Sequence, residues 1–354
     1  MSDGDSPGFW RRLLGKGGGS GAAPAASPSS ATPSALARYR LERELGRGSM
    51  GAVHLAEDTQ TGQRVAVKLL ALQREFSADD LADVRQRFMR EARAAGHLQH
   101  PDILQILDAG EAGEDAWIVM EYVDGQDLSH FTRSSTLLPA AEVLGLVIRL
   151  ARALDYAHRQ GVVHRDIKPA NVMLDRPAGK LKVMDFGIAR IADGSRTRTG
   201  LVLGTPSFMS PEQLAGLKVD GRSDLYSLGV MLFQMLTGKL PHQSESMARL
   251  MQKIATQPPP DVRHFRSDLP ESLAMVLALA LEKRPELRYA NGEAMAQDLE
   301  AVLAQGLQEA PDLPLGDDPP AAADPFAQTL RLDGAEAGQN AATPAPPDSS
   351  EPPP

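Results

Sequence analysis

The 354-residue sequence contains no cysteine. That excludes disulfides, thiolate metal sites, a cysteine nucleophile and thiol redox chemistry. No apolar run approaches the ~20 residues that cross a bilayer. The first residues lack the apolar core of a secretory signal. A cysteine-free chain also suits a reducing compartment, so the expectation is a cytoplasmic protein with no transmembrane segment. Positive charge is short as well, with 37 Lys and Arg against 46 Asp and Glu, a formal net of −9. The deficit is local. Residues 305–354 hold nine acids and a single base, Arg331, whereas residues 1–38 are net +2, which leaves −3 for the residues between. Binding nucleic acid without regard to sequence needs a basic face, so no nucleic-acid partner is expected.

Of the 31 glycines and 27 prolines, 11 and 15 fall in residues 1–38 and 305–354, more per residue than in the stretch between. Residues 15–35 are Gly-, Ala-, Pro- and Ser-rich and read as a flexible linker with too few large apolar side chains to form a core. Before it, Phe9-Trp10-Arg11-Arg12-Leu13-Leu14 is a short basic and aromatic patch, too short for stable membrane binding by itself. From about Pro311 the composition is that of a disordered acidic tail. The segments are therefore a flexible 1–38, an ordered 39–304 and a tail over 305–354.

Within the ordered part the patterning changes character. Short β-type runs at 51–56, 64–70 and 116–123 flank a charged helical stretch at 79–98. After Asp127, helical periodicity dominates, at 139–159, 222–237, 244–256, 270–283 and 291–304. A β-rich first part followed by a helix-rich second part predicts an α+β fold, or two lobes with a cleft between them.

Three motifs carry chemistry. Gly46-Arg47-Gly48-Ser49-Met50-Gly51-Ala52-Val53 reads G-x-G-x-x-G-x-V, in which glycines let backbone N–H groups approach a polyphosphate. A dinucleotide fold would require a helix after the third glycine; a strand pattern follows instead. Seventeen residues past Gly51 comes Lys68, late in the apolar run Val65-Ala66-Val67-Lys68. A lysine at a strand end commonly only reaches back to water; here the company it keeps gives it more to do. His164-Arg165-Asp166-Ile167-Lys168-Pro169-Ala170-Asn171 places a carboxylate, an ammonium and an amide within six residues. Fourteen residues later stands Asp185-Phe186-Gly187. Two acids and an amide at the ends of buried strands can hold Mg²⁺ beside a phosphate.

In order and spacing these motifs resemble those of the protein kinases, over about residues 39–304 and in the form found in bacterial eukaryotic-like (Hanks-type) Ser/Thr kinases. The resemblance implies a bilobal kinase fold, with a β-rich N-lobe over about 39–123 and a helical C-lobe over about 124–304. It also implies roles residue by residue. Gly46, Arg47, Gly48, Ser49, Met50 and Gly51 cover the ATP phosphates. Val53, Ala66 and Met173 enclose the adenine, the backbone from Glu121 to Val123 meets its edge, and Met120 guards the back pocket. Lys68 contacts the α- and β-phosphates and pairs with Glu91. Asp166 takes the proton of the substrate hydroxyl, Lys168 neutralises the transferring phosphoryl, and Asn171 and Asp185 hold Mg²⁺ or Mn²⁺. Lys168, in D-x-K-P-x-N, matches Ser/Thr rather than Tyr specificity.

Outside the reacting centre the resemblance implies that Thr205, in Gly204-Thr205-Pro206, bonds near Asp166 and Lys168. It pairs Glu212 with Arg288 and has Asp224 hold the catalytic-loop backbone. Ser210-Pro211-Glu212 stands where the family usually has Ala-Pro-Glu, and Phe208 replaces a frequent tyrosine. Thr197 and Thr199 fall where relatives carry activating phosphothreonines, added by a second copy of the chain in a transient homodimer. Thr329, in the tail's apolar-containing stretch Pro325–Leu332, has Leu332 three residues on and would recruit a forkhead-associated-domain protein once phosphorylated. His97 and His100 are three apart with no further ligand near, which does not make a metal site. The function implied is a non-specific Ser/Thr protein kinase acting on protein substrates. The alternative is a pseudokinase or ATP-gated scaffold, and Lys68, Asp166 and Asp185 together argue against it.

Overall fold

The period of two along Arg64–Leu70 decides how the first half of the chain is layered. Ala66 and Leu70 fall on one face of this strand and Val65 and Val67 on the other, because side chains alternate along a strand. The structure is a computed structural model describing residues 36–48, 51–74, 76, 79–112, 115–186 and 206–307. In it, β1 (Tyr39–Gly48), β2 (Gly51–Asp58), β3 (Arg64–Leu70), β4 (Ile106–Ala112) and β5 (Asp115–Glu121) form an antiparallel sheet in the order β1-β2-β3-β5-β4. Its outer face buries Val65 and Val67 with Tyr39, Trp117 and Val119. Its inner face buries Val53, Leu55, Ala66, Ile118 and Met120 against Phe88 and Ala92. Those two residues belong to α1 (Leu81–Gly96), whose buried positions Val84, Phe88, Glu91, Ala92 and Ala95 recur at helical spacing.

The second half is helical. α2 (Ala140–Arg159) packs against α4 (Gly221–Thr237) and α7 (Gly292–Ala304), and α6 (Glu271–Ala280) lies against α4 and α7. Between α1 and α2 the chain contributes β6 (Gln126–Asp127); after α2 come β7 (Val172–Asp175) and β8 (Lys180–Val183), and the three form a small sheet in that order. The short α3 (Pro211–Leu214) precedes α4, and α5 (Met247–Thr256) follows it. Helix ends follow local chemistry. The Asp220 side chain accepts from Arg222 N at the start of α4, Gly238 closes that helix at φ 73°, and the Asn291 side chain caps α7. The two halves meet where Val183 N donates to Asp102 O and Leu104 N donates to Val183 O, each at 2.8 Å. Among the described residues no helix is long and apolar enough to cross a membrane.

Candidate active site

The glycine motif is a hairpin. Gly46 lies opposite Val53, Arg47 opposite Ala52 and Gly48 opposite Gly51, so the motif spans the end of β1 and the start of β2. Gly51 sits at φ 151°, and a Cβ there would overlap the carbonyl oxygen of Leu69 on β3. Only glycine tolerates both conditions. The Arg47 guanidinium turns back along its own strand to Glu44, with Nε 3.1 Å from Oε1. Ser49 and Met50 lie outside the described residues. Beneath the hairpin, Val53, Ala66, Met120, Val123 and Met173 are buried in one cluster with Leu104 and Met184. The adenine-enclosing residues implied by the sequence therefore come together from β2, β3 and β7, next to the end of β5 at Glu121.

The segment 164–171 carries the densest polar chemistry and is held from below. Asp224 is fully buried on α4, and its carboxylate accepts from His164 N at 2.8 Å, Arg165 N at 2.7 Å and His158 Nε2 at 2.7 Å. Burial alone would raise the Asp224 carboxyl. The bond and charge of His158, with His164 and the Arg165 amide, outweigh it and hold the group below the usual carboxylate range. This grip keeps Arg165 at φ 70°, a conformation that costs a non-glycine residue about 1–3 kcal/mol. The buried ring of His164 joins this segment to the chain just past β8, where Asp185 stands. Its Nε2 lies 2.6 Å from Met184 O and its Nδ1 accepts from Asp166 N at 3.2 Å, while its ring meets Phe186 edge-on at 4.6 Å. Sequence reasoning gave His158 and His164 no role.

Above this platform the polar groups converge. Lys168 Nζ lies 2.7 Å from Asp166 Oδ2. The Asn171 amide nitrogen donates to Asp166 O at 2.7 Å and to Asp166 Oδ2 at 2.9 Å. Lys68, 6% exposed, pairs with Asp185 Oδ1 at 2.9 Å. Asp185 itself stands at φ 60°. The expected Lys68–Glu91 pair is not the one formed. Among the ion pairs of the described residues, Lys68 joins Asp185, and Glu91, buried on α1, has Arg90 at 3.3 Å. The physical reason is that a buried ammonium requires an anion, and the left-handed backbone at Asp185 brings one within reach from 117 residues away.

Glu212 and Arg288 form the buried two-pronged pair implied by the sequence, both bonds at 2.7 Å, and Arg288 also stacks on the Tyr226 ring at 4.9 Å. Serine at position 210 has a local use that the reading missed, although S-x-x-Q is visible in the sequence. Its side chain caps α3 in a capping box with Gln213, whose amide nitrogen then donates to Arg165 O at 2.8 Å. His97 and His100 are occupied locally: His97 Nδ1 lies 2.6 Å from Arg93 O, and His100 Nδ1 accepts from Asp102 N at 3.0 Å. Among the described residues no group of three or more His, Asp or Glu could hold a metal. Asn171 and Asp185 each offer a side-chain oxygen, a donor set that would suit a Mg²⁺ ion completed by phosphates and water. Thr197, Thr199, Thr205 and Thr329 lie outside the described residues.

Residues 39–299 match the family model described as "Protein kinase domain". The serine/threonine-protein kinase Pkn1 of Myxococcus xanthus is 40% identical over 272 residues, covering 75% of this chain and 38% of Pkn1. PknA of Mycobacterium tuberculosis is 37% identical over 316 residues, covering 86% of this chain and 71% of PknA. The crystal structure of the M. tuberculosis PknI kinase domain aligns with a TM-score of 0.61 at 35% identity, covering 75% of this chain and 96% of that one. The chain spans between 38% and 46% of the length of the first few curated relatives it matches.

Proposed function

From a chain that belongs to the protein kinase family, we propose a Ser/Thr protein kinase that moves the γ-phosphoryl of ATP to protein hydroxyls. The observation that carries this reading is the convergence of Lys168 and Asn171 on the Asp166 carboxylate, together with the Lys68–Asp185 pair. Asp166 accepts the substrate hydroxyl's proton. Lys168, already beside Asp166, places positive charge where the transferring group gathers negative charge. Lys68 anchors the phosphates, and the apolar slot of Val53, Ala66 and Met173 takes the base. Asn171 and Asp185 would hold the divalent ion, which when bound neutralises charge developing on the phosphate oxygens.

Activity is read as switched by phosphorylation of Thr197 and Thr199 in trans, with Arg165 supplying a guanidinium beside Asp166. Thr329 is read as a further acceptor for a forkhead-associated domain. Incubating the purified chain with ATP and Mg²⁺ or Mn²⁺, then mapping phosphate by mass spectrometry, tests these assignments together. Phosphate on Ser and Thr, with Thr197 or Thr199 occupied, is the expected result. Phosphate confined to other sites would remove the switch, and an unmodified Thr329 would make the tail a spacer.

A further inference from the structure

Glu121 ends β5, beside the backbone that meets the proposed base, and its side chain is engaged elsewhere. Oε1 lies 2.6 Å from Lys182 Nζ and accepts from Gln105 N at 2.8 Å. Lys182 donates in addition to Ile103 O at 3.3 Å. The Lys182 side chain is 14% exposed and that of Glu121 30%. The pair is therefore more sheltered than a fully exposed surface ion pair, which solvent and salt screen. Lys182 lies on β8 opposite Met173, one of the base-enclosing residues. Past Lys182 the chain is pinned at every step. Val183 is bonded to Asp102 and Leu104, Met184 N donates to Asn171 O at 2.9 Å, and Asp185 follows.

We propose that Lys182 is a positioning residue for the nucleotide: through Glu121 it ties the end of β5 to β8, and so sets the spacing between the backbone that holds the base and the carboxylate of Asp185. The inference rests on the kinase reading. It assigns to a lysine outside every motif the task of keeping the two ends of one ligand site in register. A tether of this kind acts on nucleotide binding before it acts on transfer, because the groups around Asp166 are held separately by Asp224.

The test uses the full chain, with KM for ATP and kcat measured on a Ser/Thr protein substrate, and Kd measured with a fluorescent ATP analogue. Lys182→Met keeps the apolar stem and removes the charge. It should raise both KM and Kd about fivefold while kcat changes less than about twofold. Lys182→Arg should restore both to about the wild-type values. Glu121→Gln combined with Lys182→Met should be no worse than the poorer single variant, the signature of a shared contact. Unchanged KM and Kd in Lys182→Met would overturn the inference, as would strictly additive effects. A joint fall of kcat and thermal stability that Lys182→Arg leaves unrepaired would make Lys182 merely structural. If the wild type binds the analogue but transfers no phosphate, the kinase reading fails, and the tether still stands or falls on the Kd values.

Discussion

At the scale of single residues, the molecule repeatedly makes one buried polar group serve several partners. Asp224 holds two backbone amides and a histidine, and the Glu212 carboxylate takes both the Arg288 fork and the Ser223 hydroxyl. His242 is a contrasting case. It is 7% exposed, and its Nε2 meets Lys283 Nζ at 3.2 Å. Burial first, then the charges of Lys283 and Lys253, lower its pKa to about 4. The unfolded chain holds a proton on this ring below about 6.5, which the folded chain refuses until about 4. Stability from His242 is therefore fully present above about 6.5 and is lost as the pH falls toward 4. Urea unfolding at pH 4.5 should show about 2 kcal/mol less stability than at pH 6.5 from this group alone. His242→Gln should flatten that interval and leave the steeper carboxylate-driven loss at lower pH. An unchanged slope in the variant would remove His242 from the account.

At the scale of elements, the segment after β8, and not α1, supplies the anion that Lys68 meets. Glu91 lies on the buried seam of the helix with Phe88 and Ala92, yet the Lys68 ammonium rests on Asp185. A kinase needs its strand lysine paired with a helix glutamate and its Asp185 counterpart on the metal at the same time. On the proposed kinase reading, catalysis would require Lys68 to exchange Asp185 for Glu91. Glu91→Gln should lower kcat of the phosphorylated chain about 100-fold, the scale of losing one preorganised electrostatic contact, with thermal unfolding little changed. A kcat equal to wild type would make Lys68–Asp185 the working pair. The Lys68–Asp185 pair was not legible in the sequence, because local pattern says nothing about a partner 117 positions away. The helices were legible for the opposite reason: their apolar spacing is local, and 139–159 and 291–304 correspond to α2 and α7. Strand β4, Ile-Leu-Asp-Ala-Gly-Glu-Ala, has no alternation to read and owes its form to pairing with β5. Strand β6 is only two residues long.

At the scale of the whole molecule, the fold puts the proposed nucleotide slot and the proposed transfer centre where a sheet-built half meets a helix-built half, tied through Asp102, Leu104 and Val183. The residues proposed to contact phosphate and metal could be named from the sequence because such chemistry admits few substitutes at fixed spacing. Of the platform beneath them, Asp224 was legible, but His158, His164 and Gln213 were not, since they become meaningful only once α2, α3 and α4 converge. The central claim is that Asp166 acts as the base in transfer from ATP to a Ser or Thr hydroxyl. The most direct measurement is the single-turnover rate of phosphoryl transfer from radiolabelled ATP for wild type and Asp166→Asn, with nucleotide affinity measured on the same samples. The account predicts a loss of about 10²–10⁴-fold in rate at nearly unchanged affinity, since Asp166 faces the hydroxyl and not the base. Transfer by Asp166→Asn at the wild-type rate would contradict it.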